Sequence, residues 1–431
     1  MSADRYRGLF WSPEGDPVPG ALEITDSGAL HVEIQGQLLE KRSRWGEPDE
    51  AARIHGEIAD SPFPGPVVTL FRCLLTNRKF GTGGSLERWL AHRALIGNEA
   101  VEPDAVFERV TLGIHGLAAF LGEGPPLGDF RSNLIQVPDF RTEVEQLTLG
   151  DWTAVFGWRT SRHGSATSFR LEQSPFIEIE LERPRSVDEV LSAVVPVFEA
   201  LLTIALQAHA RVEQIIVSSS HGRNAYRVLG PRVEVPVASD RKPHESELLF
   251  RLTDMPGGPA LIERVRRLFA QHPEFTALFL GHERAPPRFV EDRLRASVLT
   301  LAHVTPVFPG VSERSREWLT MLENAPAQVR AFLPSAALVA VPELARELLT
   351  PSFCDALGVT SKESFVEGIG PTFRWAALRE GTHASGRELL RFNHQLRALL
   401  HLALLRFLGF EPEDAERRMV ESIKQRGGIP S

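Results

Sequence analysis

Arg379 and His383 stand on a short polar segment with only Glu380-Gly381-Thr382 between them. A histidine can exchange a proton near neutral pH, and an arginine stays charged and can hold two phosphate oxygens at once. A helix follows them. Leu389, Phe392, Leu396, Leu399, Ala403 and Phe407 recur at steps of three and four, so Arg387 to Leu408 reads as amphipathic. Arg387, Arg391, Arg397 and His401 fall largely off that stripe. Gly409 accepts a left-handed conformation after the last turn, and Pro412 prevents simple continuation. From Arg374 to Arg406 six arginines face two glutamates, although the whole chain carries a net charge of −8. A basic patch on an acidic protein suggests a local anion site, such as one for a phosphate backbone. Arg374, Arg387, Arg391 and Arg397 are its candidate phosphate contacts, a solvated helix face being the other reading of the last three.

The elements that hold this segment change character along the chain. In the first quarter, Ala21 to Thr25 and Ala29 to Ile34 alternate in period two around Asp26-Ser27-Gly28, which predicts a hairpin. Val67 to Leu75, Val106 to Ile114, Thr153 to Arg159, Phe176 to Leu181 and Val212 to Val217 read as further strands. The expected form is a sandwich or curled sheet. Ser186 with Glu189 three residues on has the spacing of a capping box. The helix it starts, Val187 to Ala208, is apolar on nearly all sides and is expected to pack on the sheet and close the first domain. After Met255-Pro256-Gly257-Gly258-Pro259 the period becomes helical. Leu261 to Gln271, Arg288 to Val304, Ser312 to Leu322, Pro326 to Phe332, Pro342 to Leu349, Ser361 to Ile369, Arg387 to Leu408 and Pro412 to Lys424 all read as helices. The fold class is α+β, with residues 1–245 β-rich and residues 260–431 a helical bundle.

At 431 residues, two or three domains are expected. The 42% hydrophobic and 24% charged composition is that of an ordinary soluble protein. No run approaches eighteen uninterrupted apolar residues, and MSADRYRGLF has no apolar signal region, so a cytoplasmic location without membrane contact is expected. Cys73 and Cys354 sit in apolar surroundings and read as buried free thiols. The histidines show no HExxH or cysteine-paired spacing, so neither metal nor cofactor is expected. Gly81-Thr82-Gly83-Gly84 lacks the Lys-Ser/Thr of a phosphate loop, and Ser218-Ser219-Ser220-His221-Gly222 lacks the turn that frames a nucleophilic serine; both read as loops.

Arginine, a short spacer, histidine and a Leu-rich helix closing on Leu408-Gly409 together resemble the C-terminal HEPN domain of the ApeA-like bacterial defence proteins. The blocks GLFWSPEGDPVPGALEI, RIHGEI, PVVTLFRCLLTN and ALIGN, in that order, resemble the ApeA N-terminal domain. The resemblance implies an antiphage abortive-infection effector. Residues 1–245 become a sensor for an unknown phage trigger, and residues 260–431 a HEPN-like domain that forms a homodimer. It further implies a metal-independent endoribonuclease acting on RNA, with tRNA as the substrate class. On this reading His383 takes the acid/base role and Arg379 grips the phosphate. Two features depart from the family pattern: the three-residue spacer is short, and Glu380 stands where Asn is frequent. The alternative is therefore a non-catalytic, degenerate HEPN module that binds or dimerises. Trp11, His55 and Gly56 belong to the N-terminal blocks and read as structural.

Overall fold

Strands fill the first half of the chain and helices the second, so the α+β reading holds. The computed structural model describes residues 4–25, 28–38, 50–59, 61–81, 84–124, 141–164, 169–219, 224–230, 233, 241–284, 289–308, 311–313, 315, 317, 333–378 and 385–427. By its contacts the chain divides into two units. The first comprises Met1–Val195 and Arg211–Lys242, the second Pro196–Ala210 and Pro243–Ser431.

In the first unit, β1 (Asp4–Trp11), β2 (Val18–Ile24), β3 (Leu30–Gln35), β4 (Glu50–Ile58), β5 (Val67–Gly81) and β6 (Gly84–Gly97) lie in the order β3-β2-β1-β4-β5-β6. Because β3 also pairs with β6, these six strands close into a barrel. The curl expected from the sequence is thus completed. Gly28 takes φ +77° in the β2–β3 connection, as the hairpin reading requires, while Asp26 and Ser27 lie outside the described residues. From β6 the sheet continues through β12 (Ala225–Leu229), β11 (Val212–Ser218), β7 (Val106–Ile114), β10 (Phe169–Ser186), β9 (Trp152–Gly164) and β8 (Arg141–Leu149).

One edge of β6 therefore serves two partners. Leu86 to Ala91 pair with β3, and Ala94 to Ile96 pair with β12. At this change the inside-outside alternation of three neighbouring strands skips one position. The core residues are Ala51 then Ile54 on β4, Leu70 then Cys73 on β5, and Ala91 then Ala94 on β6. A regular strand returns to the same face every second residue, so a step of three means that the backbone has turned over. On β5 the turn is visible at Arg72, which holds φ +52° although it is not glycine.

The barrel closes around large side chains that need small neighbours. Phe10 is fully buried, and a Cβ added at Gly56 would come within 2.5 Å of its ring and 2.9 Å of Val68. Trp11 and His55 bring their rings to 6.2 Å, and His55 is buried with Nδ1 3.3 Å from the Thr69 hydroxyl. Burial, with Arg53 nearby, lowers the His55 pKa. These residues serve packing, as the sequence reading has it.

The second unit contains the helices Pro259–Gln271, Pro273–Arg284, Val290–Val304, Leu333–Leu348, Pro351–Ala356, Lys362–Leu378, Gly386–Leu408 and Pro412–Gln425. The expected helix at 326–332 lies outside the described residues, as does most of the one at 312–322. Pro273–Arg284 and Pro351–Ala356 were not expected. The Val187–Leu206 helix corrects the sequence reading, which attaches its whole length to the sheet. From Pro196 it belongs with the helical unit. The reason is its polar partners: buried Glu199 accepts hydrogen bonds from Arg284, and Arg426 donates to the Leu206 carbonyl at 2.8 Å. The Leu249 N–H donates to the Ala205 carbonyl at 2.8 Å. A π turn over Val190–Val194 precedes Pro196, which has no N–H for a regular helical ladder. This helix is long and apolar enough to cross a membrane, and 78% of its apolar window is buried in the structure, as in a core helix.

Replacing Gly56 by Val is expected to destabilise the barrel by about 1–3 kcal/mol, the usual scale of overpacking. Denaturant unfolding checks this, and Phe10→Leu in the same chain should recover part of the loss by freeing space.

Candidate functional site

The Lys362–Leu378 helix ends immediately before Arg379, and the next helix is started by Ser385, two residues after His383. Ser385 forms a full capping box: its hydroxyl accepts from the Glu388 N–H at 3.2 Å, and Glu388 accepts from the Ser385 N–H at 2.7 Å. The segment with both candidate catalytic residues is thus bounded by a helix end and a fixed N-cap. Arg379 and His383 themselves lie outside the described residues. The far end of the Gly386–Leu408 helix follows the sequence reading. Gly409 takes φ +95°, and Arg264 donates to the Leu408 carbonyl at 2.7 Å.

Buried polar contacts set the rotation of this helix. Asn393 accepts from the Ser297 hydroxyl at 2.8 Å, and Gln395 donates to the Leu357 carbonyl at 3.0 Å. With those two turned inward, Arg387 and Arg391 are exposed, and so is Arg374 on the preceding helix. None of the three has an ion-pair partner among the described residues. Arg391 lines a cavity of about 380 Å³ together with Ser364, Phe365, Glu388, Phe392 and Gln395. The rings of Phe365 and Phe392 stand 5.2 Å apart. A cavity of this size with an aromatic wall and an arginine at its rim can take a small planar anion or one nucleotide unit.

Arg397 is placed differently. Its guanidinium donates to both carboxylate oxygens of buried Glu283, at 2.6 and 2.8 Å. Burial pushes the Glu283 carboxyl up, and Arg397 opposes that shift. Nearby histidines are held neutral. His282 is lowered to about 4 by burial and by Arg397 and Arg293. His401 falls well below its ordinary value through burial, with Arg397 and Arg426 adding to it. His394 is lowered by burial and the same Arg397 and Arg293. A group held neutral this way is poorly matched to proton exchange near pH 7. Glu199 forms a second buried pair in the same unit. Burial alone would raise its carboxyl, but hydrogen bonds from His209 and Arg284 outweigh it and hold the group low.

Comparison with known proteins bears on the sheet-bearing half. The model of ApeA N-terminal domain 1 matches residues 5–258, more than half of the chain. The chain belongs to the ApeA N-terminal domain 1 family. Its ApeA match covers the barrel, the sheet that continues it and the Val187–Leu206 helix, and stops one residue before the Pro259–Gln271 helix. Membership suggests a defence protein. No curated protein and no solved structure matches the chain.

The sequence pattern missed the capping box, although Ser385 and Glu388 stand at its spacing, and it missed the cavity, whose walls come from two helices and a loop. It also grouped Arg397 with Arg387 and Arg391, which the structure separates. Arg397→Ala strands a buried carboxylate and is expected to cost about 3 kcal/mol at neutral pH, whereas Arg391→Ala should stay within about 0.5 kcal/mol. The folded-state pKa of Glu283 rises further without Arg397. The penalty should therefore be full above that raised value, fade as pH falls from it towards the ordinary 4.5, and be absent below, where the group is protonated in both states. Chemical denaturation of both variants across pH 4 to 8 checks it.

Proposed function

We propose that this chain is an antiphage abortive-infection effector whose helical half is a HEPN endoribonuclease acting on RNA, with tRNA as its substrate class. His383 takes the proton of a 2′-hydroxyl, and Arg379 holds the phosphorane oxygens as charge builds on them. The 2′-oxygen forms the new bond to phosphorus, the bond to the 5′-oxygen breaks, and the leaving oxygen gains a proton. The products are a 2′,3′-cyclic phosphate and a 5′-hydroxyl. Only RNA offers that nucleophile.

The observation that carries this reading is the basic character of both helix ends beside the polar segment. Arg374 precedes it, Arg387 and Arg391 follow it, and all three are exposed. Guanidiniums in that state are available to a phosphate backbone, whereas Arg397 is committed to Glu283. The match to the ApeA family supports the defence role. The protein works in the cytoplasm as a homodimer, released by a phage trigger that its N-terminal half recognises. A second reading, a degenerate HEPN module that binds without cutting, is favoured by the short spacer and by Glu380, whose charge repels phosphate.

Expression of the chain in a bacterial host is expected to arrest growth, and His383→Ala to relieve the arrest. In vitro, cleavage should survive EDTA and leave a 2′,3′-cyclic phosphate, while DNA binds intact. His383→Ala should lose about 10²-fold or more in rate, and Arg379→Lys should also fail, because a point charge lacks the planar two-donor grip. Full activity in His383→Ala would place the chemistry elsewhere. RNA binding with no cleavage under any trigger would select the degenerate module.

A further inference from the structure

The break in the barrel described above carries an arrangement that RNA cleavage does not use. Arg53 on β4, Phe71 on β5 and Arg93 on β6 are direct cross-strand neighbours and form one row. Arg93 lies over the Phe71 ring at 6.0 Å. Arg72, with its left-handed backbone, stands beside the row, and all four residues line a cavity of about 230 Å³. A second cavity, of about 320 Å³, shares Arg93 and Asp188 as its wall.

The charges are arranged the opposite way from an ordinary surface ion pair. Side chains of Arg53 and Arg93 are only 19% and 8% exposed, while their partners Glu102 and Asp188 are 69% and 60% exposed. Arg53 donates to Glu102 at 2.5 Å and Arg93 to Asp188 at 2.6 Å. Arg72 reaches the other oxygen of the same Asp188 at 3.7 Å. Three guanidiniums thus face two carboxylates. Arg53 and Arg93 are fixed and largely desolvated, Arg72 is exposed at 70%, and the carboxylates reach in from solvent, so the anions are the exchangeable half. Arg93 has a further vacancy, since its Nε is buried and has no hydrogen-bond acceptor. A buried donor left unmet is costly, and an incoming oxygen would satisfy it. Arg72 holds φ +52°, and backbone outliers of that kind concentrate where a ligand is held.

We infer that this row is a binding site for a small phosphate monoester carrying a flat ring. A phosphate oxygen takes the Arg93 Nε, the remaining oxygens displace Asp188 from Arg72 and Arg93, and the ring lies against Phe71. Asp188 marks the position of the ligand's anion and competes with it. When the ligand displaces Asp188, the wall between the two cavities loses its ion pair. The site is independent of whether the helical half cleaves RNA.

Calorimetric titration of the full chain with a nucleoside monophosphate, and separately with inorganic phosphate, tests it. Saturable binding of the nucleotide, weakened at least about tenfold by Arg72→Gly, is expected; glycine suits that backbone conformation, so the fold should be kept. Arg93→Gln should lose binding as well, with circular dichroism reporting on its folding. Asp188→Asn should tighten binding, a gain that no merely structural role predicts. No saturable binding, or binding unchanged by both Arg72→Gly and Asp188→Asn, would overturn the site. Inorganic phosphate binding as tightly as the nucleotide would overturn the assignment of the ring.

Discussion

A strand has two edges, and β6 must satisfy three neighbours. It pairs with β5 along one side and divides the other between β3, which closes the barrel, and β12, which leads the sheet away. Buried N–H and C=O groups have to be hydrogen-bonded, so the position of the handover is constrained at both ends. Within a few residues the partner changes and the side chains beneath exchange faces. The adjacent strands follow, because cross-strand neighbours point the same way. From this one constraint come the step of three in each core pattern, the unusual backbone at Arg72 and the outward row of Arg53, Phe71 and Arg93.

The helical unit is organised by charge as well as by apolar surface. Glu199 and Glu283 are carboxylates within it, and each is met by an arginine and sits near a histidine or an arginine from another helix. Pairs of this kind add little net stability compared with apolar packing, but they penalise any arrangement that separates the partners. The Arg397–Glu283 pair, together with the Asn393 and Gln395 contacts, fixes the rotation of the Gly386–Leu408 helix, and with it which arginines face outward. Arg391 lines a cavity, while Arg397 is held by Glu283.

How much of this was legible in the sequence depended on whether a pattern stayed in phase. β3 keeps its alternation from Leu30 to Gln35, and its expected bounds lie within one residue at each end. β6 fits neither the strand nor the helix template over its full length, since its inward positions change phase between Ala91 and Ala94, and it was missed. The apolar body of the Val187–Leu206 helix announced burial but not the partner, because Arg284 lies 85 residues further on and carries no local signal. The Pro273–Arg284 helix has no counterpart in the sequence reading; it begins at a proline, a position where the missing N–H costs nothing. Arg391 and Arg397 look alike in a periodic pattern, and only the third dimension brings Glu283 to one of them. Arg379 and His383 were legible only as residue types at a spacing.

The crossing of Pro196–Ala210 into the helical unit has an evolutionary consequence. The chain passes between the two units three times, so no single cut in the gene separates them. The family match spans residues 5–258 and so carries along a stretch whose polar partners lie after residue 243. An exchange of helical halves by recombination at one junction would bring Glu199 to a new helical half without Arg284. Successful shuffling among relatives then requires either that the receiving helices supply a matching cation or that the carboxylate is lost first, which limits which N-terminal and helical halves can be inherited together.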